Sequence, residues 1–235
     1  MRRAGDRVEV GRFHDRREAG RRLATRLERY QGRDAVIVLG LPRGGIPVGF
    51  EVAAALGAPF DAMLVRKLGV PGREELAMGA IASGDVRVVN EEVVEALALD
   101  EQAIAAATAR EQAELERREL LYRRGAPAPE VTERVVILVD DGLATGATMR
   151  AAAAALRARA PQRVVAAVPV ASPEVCAELE ADVDEVVCAV TPQSLGAVGS
   201  WYERFEPPSD EEVIELLARG RGRRPAAEFS PAGPG

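Results

Sequence analysis

Residues 135 to 148, Val-Val-Ile-Leu-Val-Asp-Asp-Gly-Leu-Ala-Thr-Gly-Ala-Thr, constrain this chain more than any other stretch. Val135 to Val139 are five apolar residues, four of them β-branched, the pattern of a strand buried on both faces at the centre of a parallel sheet. Two carboxylates end the run. A loop of small residues follows, and then Met149 to Arg159, an Ala-rich run of good helix formers. The unit reads as strand, small-residue loop and helix, which is the geometry of an anion site. Backbone N–H groups of Gly142, Leu143, Ala144, Thr145, Gly146, Ala147 and Thr148 can line a concavity at the helix N-terminus, and the two threonine hydroxyls add donors.

A loop of that kind holds a phosphate, whereas Asp140 and Asp141 beside it repel one and suit vicinal hydroxyls. A phosphate and a diol side by side describe a ribose 5-phosphate. No G-K-[ST] follows the loop and its spacing is not G-x-G-x-x-G, so it is neither a Walker loop nor a dinucleotide fingerprint.

A second apolar run, Ala35 to Gly40, enters Leu41-Pro42-Arg43-Gly44-Gly45-Ile46-Pro47, and Pro47 opens a helix through Ala55 that Gly57 closes. Backbone donors at a helix entrance, with the fixed cation of Arg43, suit another phosphate group. Phe60 to Val65 reads as the next strand, ending at Arg66-Lys67, and Leu68 to Glu75 as a mobile loop. Short strands at Ala77 to Ala82 and Val86 to Val89 flank a turn at Ser83-Gly84-Asp85. Of the 31 Lys and Arg residues one alone, Lys67, is lysine. An ammonium differs from a guanidinium in size and hydration, so this position hints at a need for the compact charge.

At these residues the sequence resembles the type I phosphoribosyltransferase family, closest to stand-alone bacterial proteins of unassigned acceptor. The resemblance implies that Asp140 and Asp141 bind the ribose hydroxyls of 5-phosphoribosyl-1-pyrophosphate and that Gly142 to Thr148 hold its 5′-phosphate. It implies that Arg43, Gly44 and Gly45 hold the pyrophosphate, with a non-proline cis peptide near Arg43. The segment after Phe60 matches the loop that closes over the sugar, which would give Arg66, Lys67 and Glu75 catalytic roles. Mg²⁺ is implied as cofactor, held by ligand oxygens and water with no direct protein ligand. The terminal segments correspond to the acceptor-binding hood, where Trp201 and Tyr202, in the densest aromatic group of the chain, would stack on a planar acceptor. A homodimer is the family expectation.

The remaining segments are read from local pattern. From Asp15 onward Ala19, Leu23, Ala24, Leu27 and Tyr30 recur at helical spacing with arginines on the other face, and His14 just before them reads as surface or capping. Residues 91–124 form a helical insertion: Glu91 to Leu97, then a helix capped by Asp100 and stopped by Gly125, with Glu114–Arg118 and Glu119–Arg123 as i,i+4 pairs. Ala126-Pro127-Ala128-Pro129 is a stiff linker. Arg163 to Val170 and Glu185 to Val190 are strands around a helix from Ser172-Pro173 to Ala181. Ser209-x-x-Glu212 is a capping box opening a last helix to about Arg219, and residues 220–235 read as a disordered tail.

The sequence therefore predicts an α/β fold over residues 1–219, a single Rossmann-like domain with a mainly parallel sheet and helices on both faces. Its 47% hydrophobic but only 4% aromatic composition calls for a core of Val, Leu, Ile and Ala. A formal charge of -6 gives no reason to expect nucleic-acid or membrane binding. With no apolar run of ~18 residues and no signal peptide at the start, a cytoplasmic location is expected. Cys176 and Cys188 read as buried free thiols. The expected activity is transfer of a phosphoribosyl group to an unidentified acceptor with release of pyrophosphate. The alternatives are a non-catalytic regulator that binds the sugar diphosphate and a hydrolase of the activated sugar.

Overall fold

The structure, a computed structural model, describes residues 11–221. The expected tail beyond Arg221 lies outside the described residues, as do residues 1–10. The central sheet is built from β1 (Val36–Gly40), β2 (Phe60–Ala62), β6 (Val135–Val139), β7 (Arg163–Val170) and β8 (Glu185–Val190), all parallel, in the order β2-β1-β6-β7-β8. β1 and β6 lie at its middle, with Val36 opposite Val135 and Gly40 opposite Val139. Every residue of both strands is buried.

Alternation along β6 sends Ile137 and Val139 to one face and Val136 and Leu138 to the other, so each face builds its own core. On the first face pack α1 (Arg16–Thr25), α2 (Gly45–Leu56), the short α3 (Glu91–Ala96), α4 (Glu101–Arg123) and α7 (Asp210–Arg221). On the second packs α5 (Ala147–Arg157), with Leu179 of α6 (Pro173–Leu179). This is the three-layer solution for a sheet apolar on both sides. The rich alanine of α5 is what lets it lie close, since Ala152, Ala153 and Ala155 are fully buried.

The segment after β2 departs from expectation. The strand read over Phe60–Val65 ends at Ala62, and Val65 begins β3 (Val65–Val70) in a second, antiparallel sheet with β4 (Arg73–Ala82) and β5 (Val86–Val89). The break follows Asp61, whose carboxylate accepts from the Ala62 N–H at 2.7 Å and from the buried Arg123 of α4 at 3.2 Å. Leu68–Glu75 is thus not an irregular loop but part of a β-hairpin turning at Pro71-Gly72, where Gly72 has φ +76°. Register shifts on either side of Gly69 hide the period of two that would have revealed it.

Caps fall as the sequence suggests at Asp100, Ser172 and Ser209, each accepting from a backbone N–H of the helix it precedes, whereas α1 is capped by Asp15 and not by the exposed His14. Glu114 pairs with Arg118, but Arg123 turns inward to Asp61 instead of pairing with Glu119 on a wet face. Arg221 joins the same carboxylate at 2.8 Å. Cys176 and Cys188 are free and half-buried, their sulfurs 2.8 Å apart, and burial pushes the Cys188 thiol upward. Among the described residues no helix is long and apolar enough to cross a membrane.

Candidate active site

The adjacent C-terminal ends of β1 and β6 bring the two glycine loops together. Leu41 N–H donates to the carbonyl of Val139 at 2.8 Å, tying the first residue after one strand to the last residue of its neighbour. Gly44 then lies against the Asp141 carboxylate, which a Cβ there would meet, and a Cβ at Gly45 would run into the Val139 carbonyl at the end of β6. Only residues without side chains let α2 start this close to the acid pair. The peptide bond between Pro42 and Arg43 is cis, at the place the family resemblance indicated. Arg43 is exposed and its guanidinium lies 4.0 Å from the carboxylate of Asp210. The Gly45 N–H is engaged by the Leu41 carbonyl, so the hydrogen-bond capacity of this loop rests on its earlier residues.

Beside it, Asp140, Gly142, Leu143, Ala144, Thr145, Gly146, Ala147 and Thr148 all line one cavity of about 210 Å³, closed by Met149 and Val198. Gly146, at φ +70°, is the cap of α5, so the loop delivers its backbone donors to a helix N-terminus. Leu143 differs from its neighbours: its side chain is buried and its N–H donates to Val170 at 3.0 Å, which removes it from the donors facing the cavity. Arg150, one turn into α5, donates to the Thr145 carbonyl at 2.7 Å and stiffens the loop from behind.

Asp140 and Asp141 are half-buried neighbours. Burial, then the charge of Asp141, pushes the Asp140 carboxyl well above the usual carboxylate range. Asp141 is raised by burial as well, against the opposing pull of Arg16, whose Nε donates to Asp141 Oδ2 at 2.8 Å. Arg16 is a site residue that sequence reading grouped with solvent-facing arginines. Its signal was available: Arg16 shares the helical stripe of Ala19, Leu23 and Leu27, so a charged residue stands where the pattern calls for an apolar one.

Three other expectations need correction or restriction. Arg66 and Lys67 sit within β3, not at the base of a loop, and successive strand residues point to opposite faces. Arg66 binds Glu111 of α4, with Nη2 at 2.6 Å and Nε at 2.9 Å from one carboxylate oxygen. Lys67 is half-buried opposite Ala80. The Glu75 backbone lies in β4, and its side chain is outside the described set. Tyr202 presents no stacking face to an acceptor: it is 3% exposed, its ring stacks on Phe205 at 4.8 Å, and its hydroxyl donates to the Asp141 carbonyl at 2.5 Å. Trp201 is half-buried, with its indole N–H on the Leu195 carbonyl. These rings close the edge of the core.

Comparison with known proteins decides the family. A model of the phosphoribosyl transferase domain matches residues 9–200. The chain belongs to the phosphoribosyl transferase domain family. Two proteins of Mycobacterium tuberculosis, from strains CDC 1551 and H37Rv and provisionally named phosphoribosyl transferases, are each 48% identical over 207 residues. The match covers 88% of this chain and 46% of each relative, so the chain spans about half the length of those phosphoribosyl transferase relatives. The crystal structure of TT1426 from Thermus thermophilus superposes with a TM-score of 0.83 at 44% identity, covering 88% of this chain and 98% of that one.

Proposed function

We propose that this protein transfers the 5-phosphoribosyl group of 5-phosphoribosyl-1-pyrophosphate to a nucleophilic acceptor, with loss of pyrophosphate. The observation that carries this reading is the single cavity shared by Asp140 and the 142–148 loop, with Gly44 and Arg43 on the adjoining strand end. The 5′-phosphate sits in the loop at the start of α5. The ribose hydroxyls meet the two carboxylates, and the pyrophosphate meets the Arg43 guanidinium and the backbone before Gly45. As the bond to pyrophosphate breaks, C1′ gains positive character, and the sugar held over two carboxylates is favoured there by field alone. Positioning and electrostatics do the chemistry, with no covalent intermediate required of the protein.

Lys67 is the hairpin cation that offsets leaving-group charge, and Arg66 joins it only when it leaves Glu111. Mg²⁺ belongs to the same reading and would be carried by diphosphate oxygens and water, as suits an ion that keeps several waters. When bound, it neutralises the diphosphate. A homodimer and a cytoplasmic site of action belong to the same proposal.

The Arg66–Glu111 pair favours a second reading, a sensor that binds the sugar diphosphate without turning it over, since it withholds a cation from the leaving group. Incubation with the sugar diphosphate, Mg²⁺ and a panel of purine and pyrimidine bases, followed by chromatography for nucleoside 5′-monophosphates, separates the two. A new monophosphate supports transfer. Tight binding with the sugar diphosphate intact across the panel supports the sensor.

A further inference from the structure

Two segments far apart in sequence, residues 13–16 and 201–206, meet at the acid pair. Phe13 N–H donates to the Trp201 carbonyl at 2.8 Å, and the Glu203 and Arg204 N–H groups donate back to Phe13 and His14 at 2.8 and 3.0 Å. Asp15 then caps α1, so the first helical residue, Arg16, emerges beside this ribbon and is only 8% exposed. Its guanidinium is held on three sides. Nε donates to Asp141 Oδ2 at 2.8 Å, Nη1 donates to the Glu206 carbonyl at 2.8 Å, and the plane lies 3.9 Å from the Phe205 ring centroid. Tyr202, stacked on Phe205, holds the backbone carbonyl of the same aspartate.

Desolvating a guanidinium is costly, and an apolar residue would complete the α1 stripe at no such cost. What the arginine adds is control of one carboxylate. Asp140 Oδ1 accepts from the Asp141 N–H at 2.8 Å and Asp141 Oδ2 accepts from Arg16. Each acid therefore has one oxygen engaged by another residue, leaving Asp140 Oδ2 and Asp141 Oδ1 with no hydrogen bond from another residue among the described residues. Two such oxygens match two hydroxyls.

We propose that Arg16 is a positioning residue of the sugar site: by fixing Asp141 Oδ2 it aims Oδ1 at one ribose hydroxyl, while Asp140 Oδ2 takes the other. This rests on the phosphoribosyl reading above. The charged and titratable groups facing Asp141 are Arg16 from α1, Tyr202 from the terminal segment and Asp140 beside it, while α2 presents the backbone of Gly44 and Gly45. Loss of Arg16 removes the attraction that opposes the effect of burial, so the Asp141 carboxyl rises further and is protonated at a higher pH.

The test is calorimetric titration of the full chain with 5-phosphoribosyl-1-pyrophosphate, and separately with inorganic pyrophosphate, from acid to neutral pH. In Arg16→Gln, sugar-diphosphate affinity at neutral pH should fall by about tenfold or more, the size of one charge-assisted hydrogen bond. Its acid limb should move to higher pH, and pyrophosphate affinity should stay as in the wild type. Arg16→Lys keeps the charge but not the fork, so it should restore the acid limb and not the full affinity. Matching limbs and affinities in wild type and Arg16→Gln overturn the proposal, as does an equal loss of both ligands. Should Arg16→Gln fail to fold, Arg16→Lys decides: weaker sugar diphosphate with unchanged pyrophosphate supports positioning, and unchanged affinity for both overturns it. A wild type that binds no sugar diphosphate refutes instead the reading beneath.

Discussion

Arg66 and Glu111 form a fork on a single oxygen: both Nη2, at 2.6 Å, and Nε, at 2.9 Å, donate to Glu111 Oε2. The same helix makes two further contacts with other elements. Tyr122 donates to Asp210, which lies 4.0 Å from Arg43, and Arg123 binds Asp61 at the end of β2. α4 thereby ties β3, the start of α7 and β2 together.

Glu111→Gln should free Arg66 for the leaving group. A partly buried ion pair of about 1 kcal/mol predicts a rise of roughly fivefold in pyrophosphate release or in sugar-diphosphate affinity. Stopped-flow assay of pyrophosphate checks it, with Arg66→Ala expected to lower the same rate. No change in either variant removes Arg66 from the chemistry.

The sugar-binding role proposed for Asp140 predicts a cost in stability. The Asp140 carboxyl is raised in the fold by burial and by Asp141, so the folded protein favours the protonated form more than the unfolded chain does. Stability from this group is full below the ordinary carboxylate value of about 4 and declines as pH rises through the raised folded value. Asp140→Asn should therefore increase Tm at neutral pH and flatten that part of the Tm-against-pH curve, while weakening the sugar diphosphate by roughly tenfold to a hundredfold. Calorimetric scans over pH, paired with titration, check both signs.

Gly44 and Gly45 should respond differently to alanine. At Gly44, φ is -61°, so an alanine backbone is unstrained and the new methyl meets only the movable Asp141 carboxylate. Gly44→Ala should cost sugar-diphosphate affinity with little loss of Tm. At Gly45 the methyl meets the Val139 carbonyl, and Gly45→Ala should cost about 1–3 kcal/mol in chemical denaturation.

Removing Asp61 leaves Arg123 and Arg221 with no carboxylate between them in a buried setting, where burial already lowers the Arg123 guanidinium. Asp61→Ala should lose about 3–5 kcal/mol of stability by urea denaturation. A loss below about 1 kcal/mol would show that the cluster is not dry.

Legibility followed contact range. The unit from Val135 through α5 was readable because burial on both faces, the acid pair and the small-residue loop are encoded in consecutive positions. The caps at Asp100, Ser172 and Ser209 were readable for the same reason. What escaped depended on distant partners. Asp61 ends β2 through Arg123, 62 residues away, and Arg16 reaches Asp141 across 125. Tyr202 looked like a ligand platform because its density of aromatic neighbours is visible in sequence, whereas the hydroxyl on the Asp141 carbonyl is not. The hairpin after Val65 was obscured by the irregularity at Gly69, which breaks the alternation a strand reading needs.

The most direct test of the central claim is calorimetric titration with 5-phosphoribosyl-1-pyrophosphate and Mg²⁺, run on the wild type and on the Asp140→Asn, Asp141→Asn double variant. Released pyrophosphate is assayed in the same samples, with and without added bases. The account predicts micromolar binding by the wild type, its loss in the double variant, and release of pyrophosphate once an acceptor base is added. Absence of wild-type binding, or equal binding by the double variant, would contradict it.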